Sequence, residues 1–148
     1  MNKKPMQLEI EYSTLNQLME MGKVALIALD TRLQDVDLSA PKLWALVWIA
    51  QLENPPAITE LAACMSSAKS NITALVDRLE KEGLVQRVDD LDDRRRILIT
   101  MTDEGQKRYE AGMTIFHQLN QEIRDVFQPE DFARLKDHLV QLRNLLES

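Results

Sequence analysis

LVQRVDDLDDRRRILITM, residues 84–101, is apolar at both ends and charged in the middle. Leu84–Val88 reads as a strand and Ile97–Met101 as its partner, both rich in apolar and β-branched residues. Asp89–Arg96 is too long for a tight hairpin turn, so it must project as a loop. That loop sets four carboxylates beside three guanidiniums. A metal site, a solvated turn and an arm aimed at another polyanion all fit, and each predicts a different protein.

A calcium loop needs acids at alternating positions, a glycine at the sharp turn and a closing bidentate glutamate. Here an arginine stands where the glycine belongs, and no glutamate follows at the required offset. Three adjacent cations would also repel a metal, so no metal or other cofactor is expected. A solvated turn stays open. Consecutive arginines at a hairpin tip are costly unless something anionic receives them, and a narrow DNA minor groove does so. The acids would then keep Arg94, Arg95 and Arg96 extended and limit non-specific sticking.

Working upstream, Ile58–Met65 predicts a short helix with Leu61, Ala62 and Met65 inward. Ser66 or Ser67 then caps a second helix over Ala68–Glu82. This helix buries Ile72, Leu75, Val76 and Leu79, and Gly83 stands where a left-handed terminal residue belongs. Its other face offers Ser67, Lys69, Ser70, Asn71, Thr73 and Ala74. Short polar side chains let a helix approach base edges, and its free N–H groups suit a phosphate. A merely solvated face is the plainer alternative. Helix, turn, helix, strand, charged loop, strand is the order of a winged helix-turn-helix.

The flanks are helical. Leu8, Tyr12, Leu15, Met19, Gly22, Leu26, Leu29 and Leu33 form one stripe on a helix of about seven turns. Ser39 and Pro41 open a helix whose Leu43, Trp44, Leu46, Val47, Ile49, Ala50 and Leu52 predict a central, buried element ending at Asn54-Pro55-Pro56. Thr102 caps a long helix with the stripe Tyr109, Met113, Phe116, Asn120, Ile123, Phe127. Pro129 opens the last one, with Phe132, Leu135, Leu139, Leu142 and Leu146. These stripes exceed what one small core can cover, which predicts contact with another chain.

The 148 residues suit a single, mainly α domain with a small β-hairpin wing. Residues 39–102 form the expected DNA-binding lobe, and 6–36 and 103–148 the dimerisation helices. The net charge of −6 counts against nucleic acid only as an average. Ser67–Thr100 holds seven basic and seven acidic residues, so the surplus lies elsewhere. Cys64 is the only cysteine, and no signal-like or membrane-length apolar run occurs, which predicts a cytoplasmic protein without membrane contact. Cys64 itself reads as packing.

The wing resembles that of the MarR family of bacterial transcription regulators. Asp93-Arg94-Arg95 followed by Ile97–Thr102 matches its Asp-x-Arg signature leading into a strand that ends Leu-Thr, with Met101 in place of the leucine. TALVDRLEKEGLVQR, 73–87, is similar to the end of its recognition helix and the first wing strand. The resemblance covers essentially the whole chain, though the flanking helices are less specific. It implies that Arg95 enters the minor groove, that Asp93 holds it by a salt bridge and that Arg94 touches phosphate. It implies a homodimer on double-stranded DNA, which the surplus stripes suit independently; Leu8, Tyr12, Leu15, Phe132, Leu135, Leu139, Leu142 and Leu146 are the candidate interface. Family members respond to small aromatic anions, for which Met19, Trp44, Trp48, Met113 and His117 are candidate walls, each also readable as ordinary packing.

The leading expectation is a sequence-specific regulator, acting as a repressor on a pseudo-palindromic operator. The alternative is a winged-helix protein-interaction module that does not bind DNA. An enzyme is not expected: the sequence has no phosphate-cradling glycine loop, paired metal-ligand motif or nucleophile elbow.

Overall fold

The computed structural model describes residues 13–148. Helix α1 spans Thr14–Leu33. Its start is fixed by Ser13, whose backbone is extended and whose hydroxyl accepts the Asn16 N–H at 3.2 Å. The stripe predicts a longer helix, but this cap ends it; Leu8 and Tyr12 lie outside the described residues. A 3₁₀ turn, Gln34–Val36, leads to α2, Ala40–Gln51. Then come α3, Ile58–Cys64, and α4, Lys69–Lys81, followed by strands β1, Val85–Asp89, and β2, Ile97–Met101. Helices α5, Asp103–Asp125, and α6, Pro129–Leu146, complete the chain.

Two expected caps are made differently. Ser39 is extended at the start of α2, yet its side chain makes no capping bond. Asp30 of α1 accepts the Ala40 N–H at 2.5 Å instead. A carboxylate suits the positive end of a helix, and this one also ties α1 to α2. Neither Ser66 nor Ser67 caps α4, which begins at Ala68 without a side-chain cap. Ser66 instead terminates α3 in the left-handed region, at φ 49°. Its N–H reaches Ala63 O at 3.1 Å, and the Ser67 N–H reaches Ala62 O at 3.0 Å, a Schellman ending. Gly83, at φ 74°, ends α4 with the same pair of bonds, to Glu80 O and Leu79 O.

The core gathers on α2. Leu43, Ala45, Leu46, Val47 and Ile49 are buried there, while Ala50 is exposed and Leu52 half-buried, so fewer faces are covered than the pattern predicts. Against them lie Leu29 and Leu33 of α1, Leu61 and Ala62 of α3, and Ile72, Leu75, Val76 and Leu79 of α4. The strands pair antiparallel from Val85↔Met101 to Asp89↔Ile97. Strand β2 is also stitched to the α2–α3 connection: the Ile99 N–H donates to Pro56 O at 2.8 Å, and Ala57 bridges Leu98.

Thr102 caps α5 as expected. Its hydroxyl accepts the Gly105 N–H at 3.0 Å and donates to Gly83 O at 2.5 Å. The buried positions of α5 are Gly105 and Gly112, which share a face with the stripe, four residues before Tyr109 and Phe116. A Cβ on Gly105 would collide with the Leu84 carbonyl, and one on Gly112 would press on Leu43 and Leu38.

Two compact units make up the chain; the first ends at Met113 and the second is Thr114–Ser148. The second is a helical hairpin. Its Phe127 and Phe132 rings lie 6.3 Å apart, with the Arg124 guanidinium 6.0 Å from the Phe132 ring. None of its residues is buried.

Candidate nucleic-acid interface

Helix α4 is seated by Ile72, Leu75, Val76 and Leu79. Seating that face turns the opposite one outward: Lys69, Ser70, Asn71 and Ala74 are exposed, and Ser67 and Thr73 are half-buried. The Thr73 hydroxyl donates to Lys69 O at 2.9 Å, which leaves it as an acceptor toward any outside donor. Ala68 gives no side-chain cap, and the Asn71 N–H donates to Ala68 O at 3.0 Å, so Lys69 and Ser70 carry the first-turn N–H groups that suit an outside acceptor.

The loop between the strands is built by its own acids. Asp90 Oδ1 accepts the Asp92 N–H at 2.9 Å and the Asp93 N–H at 3.4 Å. Asp93 Oδ1 accepts the Arg95 N–H at 3.0 Å. The Arg96 N–H donates to Asp93 O, and the Asp90 N–H closes the loop on Arg96 O at 3.1 Å. Two carboxylates thus act as local turn makers, the ordinary talent of aspartate.

The arginines divide into two kinds. The Arg95 side chain is 93% exposed, with Nε 3.3 Å from Asp93 Oδ1. So exposed a pair adds little stability. Arg94 is exposed and makes no ion pair among the described residues. Arg96 turns back, and its Nη2 donates to Glu60 Oε1 at 2.8 Å.

Sequence reasoning missed Arg87. From β1 it donates to Asp77 at 2.5 Å and to Glu80, both on α4, while its own N–H reaches Glu80 Oε1 at 3.2 Å. The hydrogen bond to Asp77 is the largest influence raising this guanidinium above its ordinary pKa; Glu80 adds to it and desolvation opposes it. The clamp fixes α4 against the wing. The sequence signal was the acid pair at i and i+3 on α4, answered by a base just past the Gly83 turn.

Trp44, Trp48 and Met113 are half-buried, while Met19 and His117 are exposed. His117 meets Phe116 edge-on at 5.8 Å. Three surface concavities are lined by other residues. Of the candidate interface residues, Leu15, Leu139 and Leu146 are 60%, 47% and 69% exposed. Phe132, Leu135 and Leu142 are half-buried. No helix among the described residues is long and apolar enough to cross a membrane.

The MarR family model matches residues 38–97, which run from α2 through the wing loop. The HTH-type transcriptional regulator YsmB of Bacillus subtilis, itself uncharacterized, is 30% identical over 107 residues, covering 72% of this chain and 73% of YsmB. The chain belongs to the MarR family. This MarR-family regulator is also 28% identical to the homoprotocatechuate degradative operon repressor of Escherichia coli, over 66% of each chain. Its fold is that of the S. aureus MepR–DNA complex, with a TM-score of 0.83 at 21% identity, over 90% of this chain and 98% of that one.

Proposed function

We propose that this regulator binds double-stranded DNA as a homodimer and represses transcription from a pseudo-palindromic operator. The observation that carries the reading is the polar, uncapped start of α4 beside a wing whose Arg95 is 93% exposed. In this reading residues 39–102 are the DNA-binding lobe. Ser67, Lys69, Ser70, Asn71 and Thr73 face the major groove, where short polar groups read base edges. Arg95, aimed by Asp93, enters the minor groove, and Arg94 meets phosphate. Residues 6–36 and 103–148 pair two subunits, a role supported by the exposed Leu15, Leu139 and Leu146. A twofold axis then sets two α4 helices about one DNA turn apart.

The likeness to a repressor of an aromatic-acid degradation operon supports repression, and supports a small aromatic anion as effector. Met19, Trp44, Trp48, Met113 and His117 are the proposed walls. Such an effector must bind the DNA-incompetent arrangement more tightly, because equal affinity shifts nothing.

The test is a fluorescence-anisotropy titration of DNA flanking the chain's own gene, repeated across salt concentrations. A specific complex whose affinity falls by about 0.9 log units per phosphate contact per log unit of salt supports the reading. A flat salt response and no sequence preference would favour a protein partner instead.

A further inference from the structure

Arg96 departs from its two neighbours. It belongs to the loop of guanidiniums, yet its charge is spent inside the chain. Nη2 donates to Glu60 Oε1 at 2.8 Å, and Nε lies 3.7 Å from Asp90 Oδ2. Both partners have a second task. Glu60 Oε2 accepts the Ala57 N–H at 2.8 Å, at the start of α3. Asp90, whose side chain is 14% exposed, is the acceptor around which the wing loop turns. One guanidinium therefore joins the helix that precedes α4 to the residue that shapes the wing. The same junction carries the Ile99–Pro56 hydrogen bond and the Ala57–Leu98 bridge. It forms one wall of a cleft of about 600 Å³ that Glu53, Asp92 and Cys64 also line.

We propose that Arg96 is a positioning residue, which latches the wing root to α3 through Glu60 and Asp90 and does not itself contact DNA. The inference rests on the reading that α4 and the wing engage a duplex. Its logic is geometric. If Arg95 and α4 must meet adjacent grooves together, the angle between wing and helix pair sets how well both fit. A latch that crosses from one to the other restricts that angle before DNA arrives, so less ordering cost falls on binding.

The two roles open to Arg96 predict opposite signs for one substitution. Were Arg96 a phosphate donor held in check by Glu60, Glu60→Gln would release it and tighten binding. As a latch, Glu60→Gln weakens binding, because a neutral amide holds a guanidinium less firmly. Gln can still accept the Ala57 N–H, so α3 keeps its start. Glu53→Gln is the control: it removes the same charge from the same cleft without touching the latch.

We expect Glu60→Gln and Arg96→Ala each to lower affinity for the operator by roughly two- to fivefold relative to Glu53→Gln, the scale of a partly exposed ion pair. The double variant should bind no worse than Arg96→Ala alone. The slope of log affinity against log salt should stay at the wild-type value in both single variants. A loss of about 0.9 from that slope in Arg96→Ala marks a direct phosphate contact and overturns the latch. Tighter binding by Glu60→Gln than by Glu53→Gln overturns it as well. A second measurement needs no DNA. A fluorophore on Leu91→Cys, at a residue 97% exposed on the loop, in a Cys64→Ser background, reports wing mobility. Its anisotropy should fall in Glu60→Gln and in Arg96→Ala, and unchanged anisotropy in both overturns the latch. Failure of the wild-type protein to bind DNA, with these anisotropy changes present in the variants, would sink the DNA reading and leave the latch standing.

Discussion

Leu33, Leu43, Leu46, Leu61, Ile72, Leu79, Leu84 and Ile99 are all below 2% exposed, whereas no residue from Thr114 to Ser148 is buried. In the second region Leu145 and Leu146 stand 68% and 69% exposed, and Val126 77%. Both regions carry apolar stripes at helical spacing, so periodicity does not separate them. The difference is in what faces the stripe. Helix α2 is surrounded by α1, α3, α4 and β2, while within residues 114–148 two helical arms meet through Phe127 and Phe132. The first region completes its core within one chain. The second leaves apolar side chains exposed, the kind of surface that a partner can cover.

The largest effect should come from changing the second region. Leu139→Asp with Leu142→Asp should halve the mass seen by light scattering and lower operator affinity by roughly 10²–10⁴-fold, the gain that joining two half-site contacts supplies. A variant that stays dimeric would refute the assignment. Next, Leu46→Ala in the complete region should cost about 3 kcal/mol in urea unfolding. Leu46 is 0% exposed, so a cavity is left whatever the protein concentration. A loss that varied with concentration would show that the first region also depends on a partner. Arg95→Ala should weaken operator binding by about 1–3 kcal/mol with the dimer and the melting temperature intact. Unchanged affinity would remove the wing from the interface. The smallest effect is expected from Thr102→Ala, about 1 kcal/mol of stability, from loss of the cap on Gly105.

Much of the architecture was legible because burial leaves a periodic trace. Ile72, Leu75, Val76 and Leu79 are the buried face of α4 as spaced, and Gly83 is left-handed where a helix must stop. The wing was legible because eight charged or loop residues between two apolar runs have nowhere to go but out. Contacts between residues distant in sequence were not legible. Asp30 displaced Ser39 as the cap of α2 through a bond across ten positions, and Glu60 reaches Arg96 across thirty-six. The start of α4 was misread because Ser66 closes one helix rather than opening the next; a left-handed serine is rare enough that a cap is the better first guess. Of the site, residue types and faces could be read from the residues, and Arg95 was singled out only through the family resemblance; that Arg96 turns back to Glu60 could not be read.

Gly105 carries a consequence for mutational tolerance. Its neighbours Asp103, Glu104, Gln106 and Lys107 are all exposed on the first turns of α5, where most replacements meet only water. At Gly105 even a methyl group runs into the Leu84 carbonyl, a backbone atom with no rotamer to escape by. A saturation library of this turn should therefore return a single forbidden column flanked by permissive ones, at a place where hydropathy alone would suggest nothing to protect.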